Sequence, residues 1–173
     1  MNEPAPPYVG EGPRALWHVS EDAGIERFEP RDGRVWAIDT RHLPLYWFPR
    51  DCPRATFWAV EGTSAEDVER FLSGDRTRRV HMIEAAWLEG MRTAAVFAYR
   101  LPAATFEPWD RFFISGVTVD PLERVALGDL VERHRAAAIE LRTSDRLLAL
   151  WDEIAGSTLD FSGIRLRNAT LQA

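Results

Sequence analysis

His18 and Ser20 stand two residues apart in Leu16-Trp-His-Val-Ser20. A β-strand turns alternate side chains to one face, so an imidazole and a hydroxyl would project there side by side. Such a pair can hold a ribose hydroxyl or orient a ligand amide; it can equally be a half-solvated sheet surface with a satisfied structural histidine. Arg31, Arg50 and Arg54 each follow a proline. Their backbones are therefore stiff, and their planar forks suit an anion such as a pyrophosphate. Pairing with Asp32, Asp39 and Asp51 is the alternative. Tyr46, beside Trp47 and Phe48, offers a ring to stack on a base or nicotinamide, or a piece of core.

Other chemistries find less support. Cys52 is the only cysteine, so no internal disulfide forms. As a nucleophile with His18 or His42 it would be blunted by the neighbouring Asp51 charge, which raises a thiol pKa. Four scattered His with no helical ligand spacing predict no metal site. The chain has no glycine-rich phosphate loop, no Walker pattern and no Gly-x-Ser-x-Gly elbow.

The elements that must position these groups can be read in order. Residues 1–14, rich in Pro, read as a flexible lead-in. Leu16 to Ser20 is a strand whose Trp17 and Val19 are expected to fill the core, leaving His18 and Ser20 to line a cleft. Val35 to Asp39 is a second strand. A short helix capped by Thr40 then runs through Tyr46, with Pro49 closing it. Ala55 to Val60 is a third strand, and Thr63 with Glu66 forms a capping-box pattern opening a helix that Gly74 stops. Arg79 to Trp87 reads as a strand running into a short helix, followed by strands at Thr93 to Leu101 and Phe112 to Val119. Leu127, Leu130, Val131, His134, Ala138 and Leu141 recur at helical spacing, predicting a helix from Asp129 to Leu141. Thr143 or Ser144 caps another, ending at Gly156, and the tail holds a short edge strand. Strands first and helices last indicate an α+β fold. The expectation is a single domain over 15–173 with a split, bent antiparallel sheet, flanking helices and a helical C-terminal third.

A chain of 173 residues that is 46% hydrophobic suffices for one full core. Its net charge of -6 disfavours general nucleic-acid binding. All 21 cations are Arg. Nothing at the N-terminus reads as a signal peptide, and no apolar run approaches the roughly 20 residues a membrane span needs. A cytoplasmic protein without membrane contact is expected.

Three pieces together resemble the ADP-ribosyltransferase fold, which includes mono-ADP-ribosyltransferases and RNA 2'-phosphotransferases. They are Leu-Trp-His-Val-Ser, the second strand leading to Tyr46, and the late strand ending Val-Thr-Val-Asp-Pro. The resemblance implies a sheet of that type binding NAD or another ADP-ribose or phosphorylated nucleotide. His18 and Ser20 would meet the ribose, Tyr46 would stack on nicotinamide, and ADP-ribose or a 2'-phosphate would be transferred. In that superfamily a late-strand Glu orients the reacting ribose, but this chain carries Ser115 or Gly116 there, with Asp120, Glu123 and Glu84 elsewhere. A non-catalytic nucleotide-binding or interaction module on the same fold is the alternative. Over nearly its whole length the chain also resembles a family of uncharacterised bacterial proteins with His-Val-Ser-Glu, Phe-x-Pro-Arg, Pro-Arg-Asp-Cys-Pro-Arg and Ile-Arg-Leu-Arg-Asn segments, which brings no established activity. The expected cleft is lined by His18, Ser20, Arg31, Tyr46, Arg50 and Arg54.

Overall fold

The alternating, turn-punctuated sequence builds ten strands and four α-helices among the described residues, which are 12–73 and 78–171 of a computed structural model. In chain order these are β1 (Leu16–Ser20), β2 (Val35–Asp39), β3 (Arg54–Trp58), α1 (Ala65–Leu72), β4 (Arg79–Ile83), α2 (Leu88–Thr93) and β5 (Phe97–Leu101). Then come β6 (Glu107–Trp109), β7 (Phe112–Ser115), β8 (Glu123–Ala126), α3 (Leu130–Ala136), β9 (Glu140–Thr143), α4 (Leu147–Ala155) and β10 (Asp160–Ile164). The fold is α+β. It divides into two compact units, one formed by residues 12–47 and 95–128, the other by 48–94 and 129–171.

The first unit holds a six-stranded sheet in the order β6-β7-β2-β1-β5-β8, every pair antiparallel. Its core lies on the face that carries Leu16, with Val35, Ala37, Tyr99, Leu101 and Phe113 beneath Phe28 and Val119. Phe28 and Val119 exchange backbone hydrogen bonds of 2.8 and 2.9 Å, which folds their two loops over this face. The expected orientation of β1 is thereby reversed: Leu16 and His18 face inward, while Trp17 donates from Nε1 to the Thr40 hydroxyl at 2.9 Å. Because Thr40 is engaged there, the turn after β2 is organised by Asp39. Its Oδ1 accepts from the His42 backbone N–H and lies 2.9 Å from His42 Nδ1. The turn itself is a single 3₁₀ turn, Leu43–Tyr46.

The second unit holds a four-stranded sheet, β10-β3-β4-β9, in which only β4 and β9 run parallel. Ala55, Phe57, Val80 and Met82 turn one face to α1 and α4, packing against Phe71, Leu72, Leu147 and Ile154. The opposite face carries Arg54, Thr56 and His81, all buried. Helix α1 begins one residue later than the capping pattern placed it. Ser64 accepts from Asp67 N–H, while the Thr63 hydroxyl accepts from Val60 N–H. Ser73 closes it in the left-handed region, and Gly74, the expected stop, lies outside the described residues.

The C-terminal third differs from the helical expectation. Helix α3 stops at Ala136, Ala138 takes φ 55°, and the chain reverses into β9, which pairs with β4 through His81↔Leu141. The buried Ile139 and a ladder of strand hydrogen bonds outweigh the alanine-rich preference for continued helix. The edge strand β10 forms where the sequence placed it, and α4 ends before Gly156 as expected but starts later: Thr143 ends β9, Ser144 accepts from Arg146 N–H, and Arg146 is the N-cap.

Candidate functional site

In the six-stranded unit, β1 sits between β2 and β5, and the register sets His18 opposite Tyr99. The next residue across that rung is Arg124 on β8. His18 Nδ1 lies 2.9 Å from the Trp36 carbonyl, an oxygen that can only accept. In the neutral ring the proton is therefore on Nδ1, and Nε2 is the acceptor. The ring packs 4.8 Å from Phe28, which meets Tyr99 edge-on at 5.4 Å. Ser20 shares the face, and its hydroxyl accepts from Asp22 N–H at 3.1 Å. Tyr99 donates to the Asp22 carbonyl at 2.6 Å and accepts from Ile25 N–H, so the loop after β1 is tied down over the strand that carries His18. Both His18 and Ser20 are half-buried.

The remaining expected site residues are placed differently. Tyr46, half-buried, ends the 3₁₀ turn that follows β2. Arg31 belongs to a hairpin with Arg34, at the start of β2. Strand alternation puts Arg34 and Trp36 on the sheet face opposite His18. Arg50 and Arg54 belong to the other unit. Arg50 is exposed, and its carbonyl accepts from Arg165 Nε. Arg54 is 3% exposed, with Nη1 donating to the Cys52 carbonyl and the guanidinium lying 4.8 Å over Phe48.

Carboxylates are absent from the rung of His18. Ser115, where the resemblance would put a Glu, is buried and bonded to Thr105. Glu123 pairs with Arg100, and alternation sends both to the opposite face. Asp120 is paired with Arg27. Glu84, in the four-stranded unit, accepts from Thr170 N–H at 2.7 Å.

The four-stranded unit also joins two groups that lie 53 residues apart in sequence. His81 Nδ1 and His134 Nε2 are 2.8 Å apart, and His134 Nδ1 is 2.6 Å from the Leu130 carbonyl. Both rings are fully buried, with Phe48 beside them at 5.5 and 5.1 Å. Burial holds both imidazoles below their usual pKa, His134 at about 4, with Arg133 lowering it further. The helical stripe in the sequence had already counted His134 among apolar positions, the one signal that it would be buried. Cys52 is buried, and desolvation, aided by Glu84 against Arg54, pushes its thiol up to about 12. An inert thiol ends the nucleophile reading. Among the described residues no group of three or more His, Cys, Asp or Glu could hold a metal ion.

A family model described as a family of unknown function, DUF6886, matches residues 17–169. The chain belongs to that family. Neither the curated proteins nor the solved structures gave a match. The span matched by DUF6886 takes in every expected site residue, and all ten strands except the first residue of β1. No helix among the described residues is long and apolar enough to cross a membrane.

Proposed function

We propose that this DUF6886 protein is ADP-ribosyltransferase-like and binds a nucleotide of the NAD or ADP-ribose class at His18 and Ser20. The reading is supported above all by the state of His18. A carbonyl at 2.9 Å fixes the ring orientation and makes Nε2 the acceptor, the role a ribose hydroxyl would require. Ser20 adds a hydroxyl two residues along the same strand face. The stacking role of Tyr46 is carried by the resemblance alone.

The chemistry this favours is limited. Cleaving nicotinamide in the toxin manner uses a carboxylate to steady the ribose, and the His18 rung offers Tyr99 and Arg124 instead. Arg124 donates to the Ala23 carbonyl and lies 5.4 Å over the Phe97 ring, and its remaining N–H donors suit a phosphate, so binding or 2'-phosphate transfer is favoured over glycosidic cleavage. The missing carboxylate also favours a second reading, a nucleotide-binding module without chemistry.

Calorimetry with NAD, ADP-ribose and a 2'-phosphorylated dinucleotide tests both. Binding of at least one is expected to weaken by about tenfold or more in His18→Ala, the loss of one good hydrogen bond and its ring contact. Release of nicotinamide or phosphate, followed by chromatography, separates the enzyme from the module. Equal affinity in wild type and His18→Ala, or no binding of any of the three, would sink the proposal.

A further inference from the structure

The face of the six-stranded sheet opposite His18 carries, at its β6 edge, an aromatic and cationic cluster that the nucleotide reading does not use. Arg31 and Arg34 flank Asp32 and Gly33, whose φ values of 51° and 76° make a two-residue turn of the I′ kind. Arg31 N–H donates to the Arg34 carbonyl at 3.0 Å and Arg34 N–H to the Arg31 carbonyl at 3.1 Å. Residues that exchange both bonds stand directly opposite, so the two side chains leave the hairpin on the same side. Trp36 and Trp109 are 38% and 48% exposed. The Arg34 guanidinium lies 4.6 Å over the Trp109 ring and 5.8 Å over that of Trp36. Phe112 braces Trp36 edge-on at 5.8 Å. Both arginines are exposed, and among the described residues neither makes an ion pair.

A guanidinium placed over an indole face still carries five N–H donors in a planar fork, two of which can reach one anion. The indoles beside it offer flat apolar area to a planar ring. We infer that this edge is a second ligand site, for a free nucleoside phosphate: the base stacks on Trp109 and Trp36, and the phosphate is held by Arg31 and Arg34. A small ligand is chosen over a polynucleotide by charge. Among the described residues Arg31 and Arg34 are the cluster's two cations without an ion pair, Glu107 shares the rung of Trp36 through Ile114, and the chain carries a net charge of -6. A long polyanion would meet repulsion beyond its first phosphate or two.

The test is calorimetry on the full chain with AMP, adenosine, inorganic phosphate, a ten-residue deoxyadenosine oligonucleotide and anionic lipid vesicles. AMP is expected to bind at least about tenfold more tightly than adenosine or phosphate, because it alone engages both halves of the site. Trp109→Ala and the double variant Arg31→Gln/Arg34→Gln should each weaken AMP by about tenfold, with melting temperature unchanged because all three side chains are exposed. AMP binding that survives both variants overturns the proposal. So does AMP no tighter than phosphate, or binding confined to the oligonucleotide or to vesicles. Should a variant shift the melt, Trp109→Phe, which keeps a ring, must retain AMP binding for the proposal to stand.

Discussion

His81 and His134 form a directed chain. The Leu130 carbonyl accepts from His134 Nδ1, His134 Nε2 then accepts from His81 Nδ1, and His81 Nε2 is left as a buried acceptor without a partner among the described residues. Neither ring can take a proton without placing a cation in a dry interior facing Arg54, Arg79 and Arg133. The unfolded chain has no such restriction and takes up protons near pH 6.5. Stability is therefore fully present above pH 6.5 and is lost as pH falls toward the folded values, His134 alone accounting for roughly 3 kcal/mol by pH 4. Urea unfolding between pH 7.5 and 4.5 should show this decline, and a His81→Leu/His134→Leu double variant should flatten it. A wild-type curve level across that window would contradict the buried neutral pair. Asp39 works in a lower range. Burial raises its pKa, but hydrogen bonds from His42 more than offset this and leave it lowered, so its contribution disappears only as carboxylates protonate.

At the scale of elements, packing decided what local pattern could not. Strands β1 and β2 were legible because apolar and β-branched residues sit between turn signals, and α4 because Leu147, Leu148, Trp151 and Ile154 repeat at helical spacing. Strand β8 was not: Glu-Arg-Val-Ala is exposed at every position and shows no alternation, its strand character coming from pairing with β5. Strand β6 was hidden by Pro108, which an edge strand tolerates. His18 and Ser20 were legible as neighbours on one face, yet which face met the core depended on the bridge between Phe28 and Val119, 91 residues apart in sequence. The Arg31 hairpin was hidden for a similar reason: Asp32-Gly33 was read for charge, although it is a turn signal. Strand β10 owes its place to Gly163. A Cβ there would lie 2.6 Å from the Trp151 ring and 2.7 Å from Leu166 Cδ1. Gly163→Ala is expected to cost about 1–3 kcal/mol by overpacking, measured by denaturant titration. A cost below 0.5 kcal/mol would mean the Trp151 ring yields freely.

Seen whole, the chain passes between its two units three times, at residues 47–48, 94–95 and 128–129. Composition shows no linker at these points because neither unit is continuous. Strand β1 pairs with β5, some eighty residues away, and β3 with β10, more than a hundred away. Truncation after Gly128 would leave all six strands of one sheet but strip α3, β9, α4 and β10 from the other unit, uncovering Ala55, Phe57, Val80 and Met82. Such a chain should bind a hydrophobic dye strongly and lose the cooperative thermal transition of the full protein. A melt as sharp as that of the full chain would show that the 48–94 segment needs no C-terminal partner.

This interleaving has a consequence during synthesis. When a ribosome has released β3, the strand flanking it on one side has not yet been translated, and it remains untranslated until residue 164 is made. For most of its elongation the nascent chain therefore exposes an open strand edge and an uncovered apolar face. Both invite capture by a chaperone or by a neighbouring polysome product before the molecule can close on itself.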